Sequence, residues 1–411
     1  MLSPFRALDL TNGASALGGR VLADLGADVI KLEPPGGDSA RRLGPFYRDQ
    51  PHPERSLSWF ALNANKRGIT LDLASATGRA LLLRLVERSD FVFESFAPGA
   101  LAAWGLGFDR LRALNPRLVL VSITPFGQTG PYAGYQATDI VTMALSGYMY
   151  LCGDADRPPV RISAPQAFLH AGADAAAAAL IAHYERQSSG QGQWIDVAAQ
   201  ESMMGAMMNA RPFWDLNQVN LQRSGPLRSG LANAAQRRQT WPCREGSVAF
   251  AVTAGPTGAR NMRNLVAWMA EEGAAPPALL EKDWDAFDMA LAFQAEISAI
   301  EGPVLAFFAR HTPAELFHEA LKRRIILYPV STTADLLADE QLAARGFWTR
   351  VEHPALGATL TYPGPFIRMS ETTCGLRRPP PSIGQHNREV YQDELGLSDH
   401  ELRALAEAGA I

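Results

Sequence analysis

Leu22-Ala23-Asp24-Leu25-Gly26-Ala27-Asp28-Val29-Ile30-Lys31-Leu32-Glu33 changes periodicity within twelve residues. Its first part closes a helical pattern over residues 15–25, with Leu17, Val21, Leu22 and Leu25 at three- and four-residue spacing. Gly26 breaks that pattern, and Asp28–Leu32 reads as a β-strand closed by Pro34-Pro35-Gly36-Gly37. Upstream, Ala7-Leu8-Asp9-Leu10 reads as another short strand. Strand, helix, strand within about thirty residues is a βαβ unit, and two parallel strands need such a crossover.

The alternation continues outward. Residues 68–73 and 90–93 read as strands, with a leucine-rich helix over 74–88 between them. Leu118-Val119-Leu120-Val121-Ser122-Ile123 is apolar enough for a strand buried on both faces. A long helix is expected over 163–186, with Ser163 and Gln166 as a capping box and Pro165 in its first turn. Its body, Ala171 to Ala179, is nearly all Ala and Gly, which predicts close backbone packing. Gln193–Val197 resumes as a strand. These signals predict an α/β fold with a Rossmann-like, mostly parallel sheet.

From residue 205 the pattern weakens. We read 1–205 together with 345–411 as a large α/β domain and 206–240 as a connector. Residues 241–330 read as a smaller α+β domain, and 331–344 as the return linker. Within the smaller domain, a hairpin entry over 241–252 precedes helices near 259–272, 289–298, 302–310 and 313–322. A β-rich stretch is expected over 351–369.

Composition narrows the function. The formal net charge is −4 and no basic stripe is present, which argues against nucleic acid and anionic membranes as partners. Three cysteines, Cys152, Cys243 and Cys374, lie far apart and fit no disulfide framework or metal spacing. No metal is expected. The first residues carry no leader pattern and no run approaches a membrane span, so a soluble cytoplasmic protein is expected. Asn12-Gly13-Ala14-Ser15-Ala16-Leu17-Gly18-Gly19 does not match the dinucleotide fingerprint, and neither a P-loop nor GxSxG occurs.

Several short segments stand in a fixed order: Leu22–Glu33, Gly36-Gly37-Asp38, Asn63–Leu73, Glu94-Ser95-Phe96-Ala97-Pro98-Gly99, Asn115–Val119, Phe126–Pro131, Gly190-Gln191-Gly192-Gln193 and Ile383-Gly384-Gln385-His386. In order and spacing they resemble the class III CoA-transferases, the family that also holds the formyl-CoA and carnitine CoA-transferases and the α-methylacyl-CoA racemases. The resemblance implies an interlocked-ring dimer, in which the large domain carries the CoA site and the small domain of one protomer closes over its partner's. It also implies coenzyme A, as acyl-CoA, for substrate. An aspartate carboxylate attacks the thioester, giving a mixed anhydride and CoA thiolate. The thiolate then forms an aspartyl thioester, from which the acceptor acid takes CoA.

Here the chain departs from the family. The nucleophile's position, four residues before Gly172, is Phe168. Asp174 lies six residues on, about 600° of rotation and about 9 Å of rise away, so it is no simple substitute. Asp139, Asp154, Asp156 and His170 are the other candidates for the missing chemistry. The racemase histidine's position is Thr138. Positions that grip CoA phosphates in the family are Pro34, Ala74 and Ala103, with Arg41, Arg42, Lys66 and Arg67 nearby. The CoA-binding set implied by the resemblance is Arg41, Leu71, Leu73, Ser95, Phe96, Ala97, Pro125 and Phe126.

The chain therefore resembles the nucleophile-lacking subunit of heteromeric transferases of the succinyl-CoA:benzylsuccinate type. The expected partner is an Asp-bearing paralogue, in a heterodimer or heterotetramer, and the expected substrates are succinyl-CoA and a carboxylic acid such as an aromatic dicarboxylate. Arg228-Ser229-Gly230 and its neighbours are expected to shape the partner's site. Two alternatives stay open: a self-sufficient homodimer with another nucleophile, and a non-catalytic acyl-CoA-binding protein.

Overall fold

A computed structural model of the chain describes residues 1–207, 210–228 and 235–411. Of Arg228-Ser229-Gly230, only the Arg228 backbone falls within the described residues. The chain forms two compact units. One comprises Met1–Tyr148, Ile162–Met208 and Glu340–Ile411, and the other Met149–Arg161 and Asn209–Asp339. Residues 149–161, read from sequence as part of the large domain, thus belong to the second unit.

The first unit is built from β1 (Arg6–Leu10), α1 (Leu17–Asp24), β2 (Asp28–Glu33), α2 (Leu57–Asn63), β3 (Arg67–Thr70), α3 (Ala76–Val86) and β4 (Phe91–Glu94). There follow α4 (Ala100–Ala103), α5 (Phe108–Leu114), β5 (Val119–Thr124), α6 (Asp139–Leu145), α7 (Ala167–Ser189), β6 (Trp194–Ala198) and α8 (Ala199–Gly205). The strands form one sheet in the order β3-β2-β1-β4-β5-β6, and every pairing is parallel. The order reverses beside β1, and this switch point opens a crevice at the carboxyl ends of the strands.

One face of the sheet, with Leu8, Ile30, Ile69, Val92 and Leu120, packs on Leu81, Leu82 and Leu85 of α3 and Leu111 of α5. On the other face α7 meets α1 nearly backbone to backbone. A Cβ on Gly172 would stand 2.9 Å from Leu17 Cβ, and one on Gly18 would stand 3.2 Å from the Gly172 carbonyl. The small-residue stretch read from the sequence serves this approach. Gly172→Val is expected to destabilise by about 1–3 kcal/mol through overpacking. Urea denaturation would measure it, and an unchanged midpoint would refute the close fit.

Helix α7 begins three residues later than the capping box implied. Ser163 is exposed and Gln166 caps without its side chain. Pro165 holds the residue before it out of the helical region, so Ser163 does not open the helix. The backbone N–H groups of Gln166 and Ala167 instead donate to the Asp139 carboxylate, at 2.9 and 2.8 Å.

The second unit has a hairpin, Thr240–Cys243 with Gly246–Ala249, extended by Tyr328–Pro329. Its core gathers Trp241, Phe250, Trp268, Phe307 and Phe308. The helices expected at 289–298 and 302–310 are one helix, Gln294–Phe308, with Pro303 inside it. Pro313–Arg323 starts on a true capping box, Thr312 with Glu315. In the first unit, the expected β-rich stretch is the hairpin Trp348–His353 with Ala358–Pro363.

Candidate functional site

A cleft of about 440 Å³ lies at the carboxyl ends of β1, β2 and β3, beside the turn that leaves β4. Leu10, Leu32, Leu71, Leu73, Phe96 and Trp104 give it apolar walls. The Phe96 and Trp104 rings meet edge to face, 5.1 Å apart. Polar groups come from Asn12, Glu33, Asp38, Asp72 and Arg42. The cleft thus suits a flat, largely apolar group with a polar rim.

Of the residues expected to bind CoA, Leu71, Leu73 and Phe96 line this cleft. Ser95 stands beside it, its hydroxyl accepting the Asn12 N–H at 3.0 Å and so holding the turn after β1. Ala97 lines a separate cavity on the other side of α4. Pro125 and Phe126 follow β5 and are not among the cleft's lining residues. Phe126 packs edge to face on Tyr132.

Arg41 is corrected. Its side chain is fully buried and is spent inside the protein. It donates to both Glu33 oxygens, to Glu54 and to the Pro381 carbonyl, and lies 3.8 Å from the Trp59 ring centroid. Four of the five guanidinium N–H donors are committed in this way, and full burial keeps the group away from a phosphate in the cleft. Lys66 and Arg67 are spoken for as well. Lys66 Nζ holds Asp9, the Ala16 carbonyl and Asn63, while Arg67 bridges Asp28, Glu389 and Glu394. Arg42, exposed on the cleft wall, is the base that remains.

The sequence reading missed Asn12, Asp38 and Trp104 as cleft residues. The position of Asn12, just past the first strand of a βαβ unit, was the available signal. Lys31, inside β2, is turned inward to Asp38 at 3.1 Å and to the Thr11 carbonyl. No linear pattern announces that pairing.

The other feature is the start of α7. Phe168 is its second residue and is half-buried, and the first turn holds no acidic side chain. Asp139, first residue of α6, supplies the negative charge there, which complements the positive end of the helix dipole. Its Oδ1 takes both backbone bonds, while Oδ2 is buried without a hydrogen-bond partner. Asp154 and Asp156 belong to the second unit. His170 and Asp174 face an open groove with Asp196 and Glu201. Asp139→Ala is expected to cost about 1–2 kcal/mol, as losing a helix cap does. Thermal unfolding would measure it, and loss of less than half that would refute the capping role.

Among the described residues, no helix is long and apolar enough to cross a membrane, and no His, Cys, Asp and Glu cluster is arranged to hold a metal.

Residues 2–387 match the family model described as CoA-transferase family III. The chain is 36% identical to the Succinyl-CoA:(R)-benzylsuccinate CoA-transferase subunit BbsE of Thauera aromatica, over 100% of this chain and 98% of the relative. It is 33% identical to a Succinyl-CoA--D-citramalate CoA-transferase of Chloroflexus aurantiacus, over 94% and 92%. A crystal structure of a CAIB/BAIF family protein from Brucella suis superposes with a TM-score of 0.80 at 29% identity, over 95% of this chain and 98% of that one.

Proposed function

This chain belongs to CoA-transferase family III, and on that premise we propose that it is a subunit whose nucleophilic carboxylate is supplied by a paralogous partner. The family's members act on acyl-CoA, and this chain is a CoA-transferase of that kind. The proposed donor is succinyl-CoA and the proposed acceptor an aromatic dicarboxylate of the benzylsuccinate type. Both follow the 36% identical relative, which is itself named as a subunit.

One observation carries the reading. Phe168 occupies the start of a helix whose packing is otherwise intact, from Gly172 against α1 to the Asp139 cap. A hydrocarbon ring cannot form the mixed anhydride, yet the scaffold around it is kept. A fold retained without its nucleophile serves assembly and the shaping of another site. We place the partner in an interlocked pair, the arrangement the family resemblance implies. In the cleft, Leu71, Leu73 and Phe96 are the proposed wall for the adenine end of CoA, with Ser95 beside them and Arg42 toward its phosphates.

Trapping with hydroxylamine tests the proposal. In the co-expressed pair treated with succinyl-CoA, the hydroxamate is expected on an aspartate of the partner, mapped by mass spectrometry. A hydroxamate on this chain would overturn it. Asp139 is where such a mark would fall in a self-sufficient homodimer, because its Oδ2 is without a partner among the described residues.

A further inference from the structure

Across α4 from the cleft lies a second cavity, of about 560 Å³, to which Ala97 alone of the expected CoA-binding residues contributes. Its floor is the sheet itself, where Glu94 ends β4 beside Ser122 of β5. Its walls are Leu101, Phe108 and Trp194. The Phe108 and Trp194 rings are near parallel, 27° apart in orientation, with centroids separated by 6.5 Å. Trp194 is 46% exposed, an unusual state for an indole on a strand.

The polar groups are arranged inward. Trp194 Nε1 donates to the Ser122 hydroxyl at 2.9 Å, and that hydroxyl donates in turn to Glu94. The Phe96 N–H donates to the same carboxyl at 2.6 Å. Glu94 is only 4% exposed, yet it lines the cavity, and burial pushes its carboxyl above the ordinary value. A carboxyl has acceptor capacity for more than these two donors. The indole is locked by its bond to Ser122, so its ring is held as a fixed wall. Asp196 and Glu94 disfavour an anion in this place. Asp109 and Arg110 add one charge of each sign to the lining, so the charge around the inner wall stays acidic and a neutral group is the better occupant there.

We propose that this cavity is a second ligand site, which takes an uncharged aromatic ring carrying an O–H or N–H donor, the ring against Trp194 and Phe108 and the donor on Glu94. Phenols and purine-type bases share that chemistry. The inference does not depend on a partner subunit, since every group it uses lies in the first unit of this chain.

Calorimetric titration of the full chain with p-cresol and, separately, with 9-ethyladenine tests it. At least one probe is expected to bind saturably and to perturb tryptophan fluorescence. The two arms tell which ring type is preferred. Ala102 lines the cavity and is exposed, so Ala102→Trp fills the space without disturbing the core. That variant is expected to weaken binding at least tenfold, as is Trp194→Leu, which removes a wall. Absence of binding by both probes at millimolar concentration would overturn the proposal. So would binding unchanged in Ala102→Trp, or displacement of the probe by CoA, either of which would put the probe in the other cleft.

Discussion

Incubated alone with succinyl-CoA and a dicarboxylic acid, the purified chain is expected to transfer CoA at a rate lower by about 10⁴–10⁶-fold than the pair, the range seen when an enzyme loses its nucleophile. Covalent transfer needs a group that accepts the acyl carbon, releases CoA thiolate and then returns CoA to the acceptor. Phe168 offers none, and the first turn of α7 holds no carboxylate. The carboxylate that does reach this helix start, Asp139, is tied through Oδ1 to two backbone N–H groups. Those bonds hold the carboxylate in place as the helix cap, so it is not free to swing onto a thioester. Adding the Asp-bearing partner should restore the rate, and substituting the partner's aspartate should abolish it again. Turnover by the lone chain near the rate of the pair would refute the subunit reading.

A second large effect is expected at the buried charge cluster beneath β1. Asp9 is fully buried and accepts from Lys66 Nζ at 2.6 Å, from the Thr11 hydroxyl at 2.5 Å and from the Thr11 N–H at 3.0 Å. A Cβ on Gly19 would come within 2.4 Å of the carboxylate, so the glycine makes room for it. Asp9→Ala leaves the Lys66 charge uncompensated in a dry interior, at an expected cost of about 3–5 kcal/mol. For a unit of this size that lowers the melting temperature by roughly 10 °C. Asp9→Leu with Lys66→Met removes both charges and should recover much of the loss. A single-variant cost below about 1 kcal/mol would contradict the argument. The pair also sets acid sensitivity. Burial alone raises the Asp9 carboxyl, but Lys66 and Lys31 beside it hold it below its ordinary value. A carboxylate depressed in the folded state stabilises above its unfolded value, near pH 4, and loses that contribution as pH falls further. Denaturant midpoints should fall more steeply below pH 4 in the native chain than in the double variant.

Periodicity and punctuation carried most of the large unit. Asp28–Leu32 and Leu118–Ile123 appear as strands within a residue of where their patterns begin and end, because two-sided burial demands unbroken apolar runs. The start of α7 was less legible. Its cap comes from Asp139, 27 positions upstream of Gln166, and local signals cannot announce a distant carboxylate. The two short helices read over 289–310 proved to be one, because Pro303 is tolerated well inside Gln294–Phe308.

The sequence by itself determined the family and the parallel α/β architecture, since both are written in residue type and order, and it put Phe168 where the proposed function needs a hydrocarbon in place of a carboxylate. Only the tertiary structure decided which charges are available. Arg41, Lys66 and Arg67 are near the cleft in sequence, yet each is drawn into the interior by an acid from another element. The reason is energetic. A charge taken out of water must find its counter-charge at once, and that partner is chosen by the packing of strands and helices. What is left facing the cleft, Arg42 among acidic neighbours, is set by those prior claims.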